Sequence, residues 1–225
     1  MNSDNSPLSF VLYCANSLAM ATDFAGFYHE FESRGIKAEY LSIISLEDTI
    51  ARYGKLIYGR DDNGKLRIDI LDAGHEIFYT VISDPKVLKV RTLGWLKSSV
   101  RNARSAHNIV FVIISHGAAS GSVVIGGQID GETGGPRKVS CEYLTIPEVK
   151  NTIASIPNGA YFTLINTACY SGKWVSIAKD FKGNRFVHAA SGSDQKAQNF
   201  RTASAKCREG IFVTALLECL KRPML

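Results

Sequence analysis

Two hydrophobic runs of strand length constrain the fold of this chain more than any other feature of its sequence. They occupy residues 109–114 and 161–166. Each is a run of about six mostly apolar residues, the length of an ordinary strand. A strand that has water on one face alternates polar and apolar residues, whereas a parallel strand covered on both faces reads as a continuous apolar run. The two runs therefore predict core strands of a parallel sheet with helices on both faces.

Strand and helix patterns alternate along the rest of the chain, as in a doubly wound α/β fold. We expect further strands at 9–14, 36–44 and 185–190, which gives five parallel strands, and helices at 19–33, 92–105, 173–181 and 210–220. Thr145 and Glu148 form a capping box that begins one more helix.

Three segments interrupt this alternation. Residues 49–84 predict a β-hairpin excursion with its turn at Asn63 and Gly64, and residues 122–125 predict a short strand that forms half of a second excursion. The glycine-rich segment 126–140 and the N-terminal residues 1–8 are expected to be flexible. Because no stretch resembles a linker, we expect residues 1–225 to form a single domain.

Composition and charge exclude several classes of protein. The five cysteines include no CxxC pair, which argues against a disulfide framework and a zinc site, and Cys14 and Cys219 are expected to be core thiols. No apolar run is long enough to span a membrane, and the N-terminus lacks a signal-peptide pattern, so we expect a cytoplasmic protein without a membrane partner. The net charge of +5 is mild. We interpret the basic helix face of Lys97, Arg101 and Arg104 as solvated, and expect no nucleic-acid partner.

Each of the two core strands is followed directly by a residue that can carry chemistry. The first run leads into Ser115, His116 and Gly117, and the second leads into Thr167, Ala168 and Cys169. Ligands and catalytic groups collect at the carboxyl ends of parallel strands. A thiol attacks as a thiolate, and a neighbouring imidazole can take its proton. Neither residue alone is informative, but the pair predicts a nucleophilic Cys–His enzyme.

These two segments resemble the motifs of the caspase-like cysteine peptidases, which include caspases, metacaspases and legumains. That family has a hydrophobic block before Ser-His-Gly and a second block before an Ala-Cys pair and a small residue. Here the blocks are 112–117 and 164–172, and the cysteine follows the histidine by 53 positions (169 − 116). Residues 210–217 are similar to a helix that follows the fourth main strand of these enzymes. The resemblance covers about residues 8–220 and is greatest to uncharacterised caspase-like proteins of fungi.

The resemblance implies a three-layer caspase-like sandwich and a cysteine endopeptidase that works through a thioester. Cys169 would be the nucleophile and His116 the general base and acid, with the amides of Gly117 and Cys169 forming the oxyanion hole. The residues that would line the substrate pocket are Ser115, Thr167, Ala190, Ser191 and Asp194.

Specificity is where the sequence departs from the family. Metacaspases carry an acidic residue two positions before the cysteine and caspases carry glutamine, whereas this chain has Thr167. Asp194 in the pocket would favour a basic side chain before the cut, but a solvated turn aspartate explains it equally well, so both interpretations stay open.

A different class of function also stays open. The chain could be a catalytically weak or inactive caspase-like module that binds partners in a cell-death or incompatibility pathway. The expected partners are a protein or peptide substrate, and a dimer or a larger partner protein is a further alternative. We expect no metal and no cofactor, because the sequence has no acidic cluster typical of a calcium site, although some relatives need calcium.

Overall fold

The structure is a computed structural model that describes residues 8–14, 18–53, 57–58, 68–69, 76–126, 141–180, 184–201 and 207–221. The segments predicted to be flexible, 1–8 and 126–140, lie almost wholly outside these ranges, as does the predicted Asn63–Gly64 turn. In the described part of the chain, every helix is too short or too polar to cross a bilayer.

Strands and helices alternate as the sequence predicts. The strands are β1 Ser9–Tyr13, β2 Ala38–Ser42, β3 Ile57–Tyr58, β4 Ile68–Asp69, β5 Thr80–Val81, β6 Asn108–Ile114, β7 Val123–Ile125, β8 Glu142–Leu144, β9 Tyr161–Asn166, β10 Arg185–Ala189, β11 Asn199–Arg201 and β12 Cys207–Gly210. The helices are α1 Leu18–Ser33, α2 Leu46–Tyr53, α3 Pro85–Asn102, α4 Ile146–Ile153, α5 Ser176–Asp180 and α6 Ile211–Lys221, with a 3₁₀ helix at Ser171–Val175 directly before α5.

Six strands form one central sheet in the order β10-β9-β6-β1-β2-β5, and all of their pairings are parallel. The two apolar runs of the sequence are β6 and β9, which pair with each other in the interior of the sheet. Both faces of β6 are buried, with Phe111 in the cluster that includes side chains of α3 and α4 and Val112 in the cluster that includes side chains of α1 and α6. The α/β fold with helices on both faces of a mostly parallel sheet is therefore confirmed.

The excursion at 49–84 differs from the prediction at both of its ends. A hairpin is present, since β3 and β4 pair antiparallel with Ile57 opposite Asp69. The excursion also contains most of α2, and it returns to the main sheet as β5, which pairs with β2 and becomes the sixth strand. Such a short strand is hard to find in a sequence because two residues carry no periodicity.

The boundaries of α3 and the end of the chain also differ from the prediction. Helix α3 begins at Pro85 rather than at residue 92, because Asp84 caps the N–H groups of Lys86 and Val87 and proline suits a first helical turn. Between the strand expected at 185–190 and the helix expected at 210–220, the structure adds two short strands, β11 and β12, which pair antiparallel.

Helix α6 does not turn Cys219 to the core, contrary to the expectation from the sequence. Val213 and Leu217 are fully buried, whereas Cys219 is exposed, so the prediction of Cys219 as a core thiol was wrong. The helix carries apolar residues on most of its surface, so its pattern did not indicate which face packs on α1. Cys14 is only 1% exposed, which confirms that it is a core thiol.

Candidate active site

The sheet brings the two predicted catalytic segments to one edge. The β6–β9 ladder ends with Ile113 opposite Asn166, and the Thr167 N–H donates to the Ile113 carbonyl at 3.0 Å. His116 and Cys169 each follow three residues beyond this last pair. Because the strands are parallel neighbours, both residues leave the same edge of the sheet at the same height.

Beyond the ladder, the two backbones stay in direct contact through Gly117. A Cβ atom on Gly117 would lie 1.9 Å from the Cys169 carbonyl oxygen, 2.8 Å from the carbonyl carbon and 3.1 Å from the amide nitrogen. No side chain fits in this space, so only glycine permits the approach. The structure thus places the residue after His116 directly against the backbone of Cys169.

His116 is held from its other side by the short strand β7. The Val124 N–H donates to the His116 carbonyl at 2.9 Å, and the Ser115 hydroxyl donates to the Val124 carbonyl at 2.5 Å. Ser115 is completely buried in this role, which leaves its side chain turned to β7 rather than offered to a substrate. The His116 ring makes no hydrogen bond within the described ranges. Burial lowers the pKa of His116 below its ordinary 6.5, because desolvation disfavours the charged imidazolium.

Cys169 lies in a tight turn between β9 and the 3₁₀ helix. The Asn166 side-chain oxygen accepts from the Ala168 N–H at 3.0 Å, which closes an Asx-type turn before the cysteine. Tyr170 follows with φ of 58°, a left-handed conformation that is unusual for a large side chain. Cys169 itself is partly exposed and unpaired. In contrast, Cys14 at the end of neighbouring β1 is buried, and burial raises the pKa of its thiol far above the ordinary range.

Two backbone N–H groups at this edge are available as donors. Gly117 bridges to Val123, but the bonds of the bridge are made by its neighbours, Val124 N–H to His116 and Ala118 N–H to Ser122. In such a pair the N–H of the central residue points away from the partner strand. Across the ranges the structure covers, neither the Gly117 N–H nor the Cys169 N–H has a hydrogen-bond acceptor. These are the two groups that the sequence analysis placed in an oxyanion hole.

The loop that carries the other predicted pocket residues packs against the cysteine turn. Ala190 N–H continues the sheet by donating to the Asn166 carbonyl at 3.0 Å, and Thr167 is 8% exposed beside it. Asp194 is exposed near the tip of the loop. Gly172 lies so close to this loop that a Cβ atom there would be 2.6 Å from the Ser193 amide nitrogen.

Two serines, Ser171 and Ser191, link the cysteine turn to the loop of residues 190–195 through hydrogen bonds. The N–H of each residue, Ser171 and Ser191, donates to the hydroxyl of the other at 3.1 Å. The Ser191 hydroxyl also lies 3.2 Å from the Ala168 carbonyl, and the Tyr170 N–H donates to the Gln195 carbonyl at 2.8 Å. Sequence reasoning placed Ser191 in the pocket but did not anticipate its partner Ser171, which is buried. Ser191 therefore holds residues 190–195 beside the cysteine.

Sequence reasoning also missed the contacts that the 3₁₀ helix makes with the histidine loop. The Lys173 ammonium donates to the Ala119 carbonyl, and the Trp174 indole N–H donates to the Gly121 carbonyl, both at 2.6 Å. A tryptophan in a short amphipathic segment was a usable signal, because a buried indole N–H needs an acceptor.

Metal ligands were not predicted at this site, and within the described ranges no group of three or more His, Cys, Asp or Glu side chains is placed to hold a metal ion. Comparison of the sequence with protein-family models and with curated proteins finds no match. The residues at the carboxyl ends of β6 and β9 are therefore the basis on which a function can be inferred.

Proposed function

We propose that the protein is a cysteine endopeptidase that cleaves peptide bonds with the pair Cys169 and His116. The observation that carries the proposal is the contact of Gly117 with the Cys169 backbone, which brings the residue after His116 directly against Cys169 at the carboxyl ends of β6 and β9. The resemblance of segments 112–117 and 164–172 to the caspase-like cysteine peptidases supports the same reaction.

The proposed reaction has two steps. The Cys169 sulfur attacks the carbonyl carbon of the scissile peptide bond while His116 takes the thiol proton, and His116 then gives that proton to the departing amine. A water molecule, deprotonated by His116, next attacks the thioester, which releases the acid and restores the thiol. In both steps the negative charge on the carbonyl oxygen is stabilised by the N–H groups of Gly117 and Cys169.

The environment of His116 suits the role of a base. Since burial lowers its pKa, the imidazole is neutral at neutral pH and is ready to accept a proton. The Cys169 thiol is partly exposed, so a substrate can reach it, unlike the buried Cys14. Cys141 and Cys219 are also exposed, but Cys141 directly precedes β8 and Cys219 lies in α6.

A preference for a basic residue before the cut would come from Asp194. Its loop is fastened to the cysteine turn by Ser191, and its carboxylate is exposed to solvent. An exposed carboxylate beside the nucleophile would favour lysine or arginine through charge attraction, which is screened by salt.

The test is a peptide-library cleavage assay on the purified chain, run with and without calcium. The expected result is cleavage that is lost in Cys169→Ala and kept in Cys141→Ala, which removes an exposed thiol elsewhere. His116→Ala should lower the rate by at least about 10²-fold, the usual contribution of a general base.

The library also reports the residue preferred before the cut, and Asp194→Asn should weaken a basic preference without removing cleavage. Cleavage that persists in Cys169→Ala would contradict the proposal. A folded wild-type chain that cleaves no peptide under either condition would favour the non-catalytic binding module instead.

A further inference from the structure

We propose that Trp174 is a positioning residue that holds the His116 segment against Cys169. This inference rests on the proposed function. Its structural basis is a hydrogen bond between two elements that follow the two catalytic residues: the indole N–H of Trp174 donates to the carbonyl of Gly121 at 2.6 Å.

A contact that positions the two loops is needed because the sheet ends before it reaches His116 and Cys169. The β6–β9 ladder fixes the two chains only as far as Ile113 and Asn166, and the Thr167 N–H makes the last bond to the first chain. Beyond that point the distance between imidazole and thiol depends on how the two following loops are packed. We name the first of them the 118–122 turn, which leads from His116 to β7.

The 118–122 turn is compact and is seated on the 3₁₀ helix. It is closed by two backbone bonds, Gly121 N–H to Ala118 at 2.8 Å and Ala118 N–H to Ser122 at 2.9 Å. Gly121 has φ of 91°, and a Cβ atom there would lie 3.1 Å from Cβ and Cδ of Lys173. The turn is therefore packed directly against the side chain of Lys173 in the 3₁₀ helix.

Trp174 is suited to fix this packing because it is completely buried and has a single polar atom. Its ring belongs to the core cluster under β6 and β9, so the position of its N–H is set by the sheet itself. The buried indole N–H and the buried Gly121 carbonyl satisfy each other, and neither group can be moved without leaving the other unpaired. Lys173 makes a parallel bond to Ala119, but from a half-buried side chain to an exposed residue.

These contacts connect the hydrophobic core to the pair His116 and Cys169. Trp174 holds Gly121, the 118–122 turn holds Gly117, and Gly117 lies on the Cys169 backbone. The one polar atom of the Trp174 side chain bonds to Gly121 rather than to either reacting group, so its effect is on geometry. Displacements of about 1 Å between reacting groups can cost about 10²-fold in rate.

The test compares Trp174→Phe with Trp95→Phe as a matched control. Phenylalanine keeps an aromatic ring in the core but removes the N–H donor. Trp95 is the other tryptophan of the chain and packs on Phe10 with ring centroids 4.5 Å apart, in α3 rather than at the site. The first readout is the rate at which iodoacetamide alkylates Cys169, followed by mass spectrometry, with exposed Cys141 as an internal reference thiol.

For Trp174→Phe we expect Cys169 alkylation to slow by about 10-fold or more, while Cys141 is unaffected, because the imidazole no longer sits in place to take the thiol proton. In the peptidase assay kcat should fall with little change in KM. Trp95→Phe should leave both rates unchanged. Lys173→Met, which removes only the bond to the exposed residue Ala119, should give a smaller effect in the same direction.

A thermal melt separates positioning from folding. If Trp174→Phe lowers the melting temperature but leaves Cys169 alkylation and kcat at wild-type values, the inference is overturned. If Trp174→Phe does not fold, Lys173→Met decides the question by the same readouts. Alkylation of Cys169 needs no peptide substrate. If the wild-type chain cleaves no peptide, the proposed function is contradicted, but the alkylation rates still show whether Trp174 positions His116.

Discussion

The protonation of His116 sets the pH range in which the proposed enzyme should work. The neutral imidazole is the form that accepts the thiol proton, and burial lowers its pKa below 6.5. We expect kcat/KM to hold as the pH falls to 6.5 and to decline only below it, as the imidazole becomes protonated. The measurement is kcat/KM against pH at constant ionic strength, and an acid limb with its midpoint above 6.5 would contradict the prediction.

The lowered pKa of His116 should also make the folding stability depend on pH, which provides an independent control. Below pH 6.5 the unfolded chain binds a proton at His116 that the folded chain resists, so folding stability contributed by this site is lost as the pH falls. His116→Asn removes the titrating group and should flatten the pH dependence of urea unfolding in that range. An unchanged profile would mean that the histidine is not desolvated in solution.

Gly117 is the residue at which a single methyl group should have the largest effect on catalysis. In Gly117→Ala the new Cβ would overlap the Cys169 carbonyl oxygen, so one of the two backbones must move. We expect kcat/KM to fall by about 10²–10³-fold, as for the loss of an oxyanion donor. Overpacking should cost about 1–3 kcal/mol of unfolding free energy. The purified variant is tested for kcat/KM in the peptide-cleavage assay and for its free energy of unfolding in urea.

The matched control is Gly94→Ala in the middle of α3, where an added Cβ meets no atom within 4 Å. Alanine there should raise the free energy of unfolding by about 0.5–1 kcal/mol and leave catalysis unchanged. If Gly117→Ala behaves like this control, the close contact with Cys169 does not exist in solution.

At the scale of elements, the fastening of the 190–195 loop can be tested through Ser191. Ser191→Ala removes a hydroxyl that contacts Ser171 and the Ala168 carbonyl. It leaves the Ser171 N–H without its acceptor, while the Ser191 N–H still donates to the Ser171 hydroxyl. We expect a loss of about 1–3 kcal/mol of unfolding free energy. KM should rise because the loop that carries Asp194 is no longer held in place for substrate.

Ser193 provides the comparison within the same loop. It is exposed, and its hydroxyl has no hydrogen bond within the described ranges, so Ser193→Ala should change stability by less than about 0.5 kcal/mol. Equal effects of the two substitutions on stability and KM would show that the serine pair does not fasten the loop.

Element prediction succeeded where the chain carries a long local pattern. The buried strands β6 and β9 and the capping box at Thr145 were read from neighbouring residues, and the capping box is present with both of its hydrogen bonds. Prediction failed at two-residue β5 and at the hairpin of β11 and β12, because so short a strand is defined by its pairing partner rather than by its own residues.

For the whole molecule, the class of fold was predictable because alternating strands and helices leave few ways to bury both faces of a sheet. The three layers follow from β6, whose residues are shared between two core clusters on opposite faces. The sheet order was less accessible, since it depends on which strand the excursion at 49–84 returns to. Its return next to β2 makes β5 one edge of the sheet and leaves β10 as the other.

The sequence by itself determined the α/β class, the buried strands β6 and β9 and the residue types that follow them, since these depend on periodicity among near neighbours. Only the tertiary structure decided how His116 and Cys169 are held together. Three contacts join loops that lie 20 to 53 positions apart in the sequence: Gly117 with Cys169, Trp174 with Gly121, and Ser191 with Ser171. No local pattern encodes them, because each depends on how the loops pack once the sheet has brought their strands side by side.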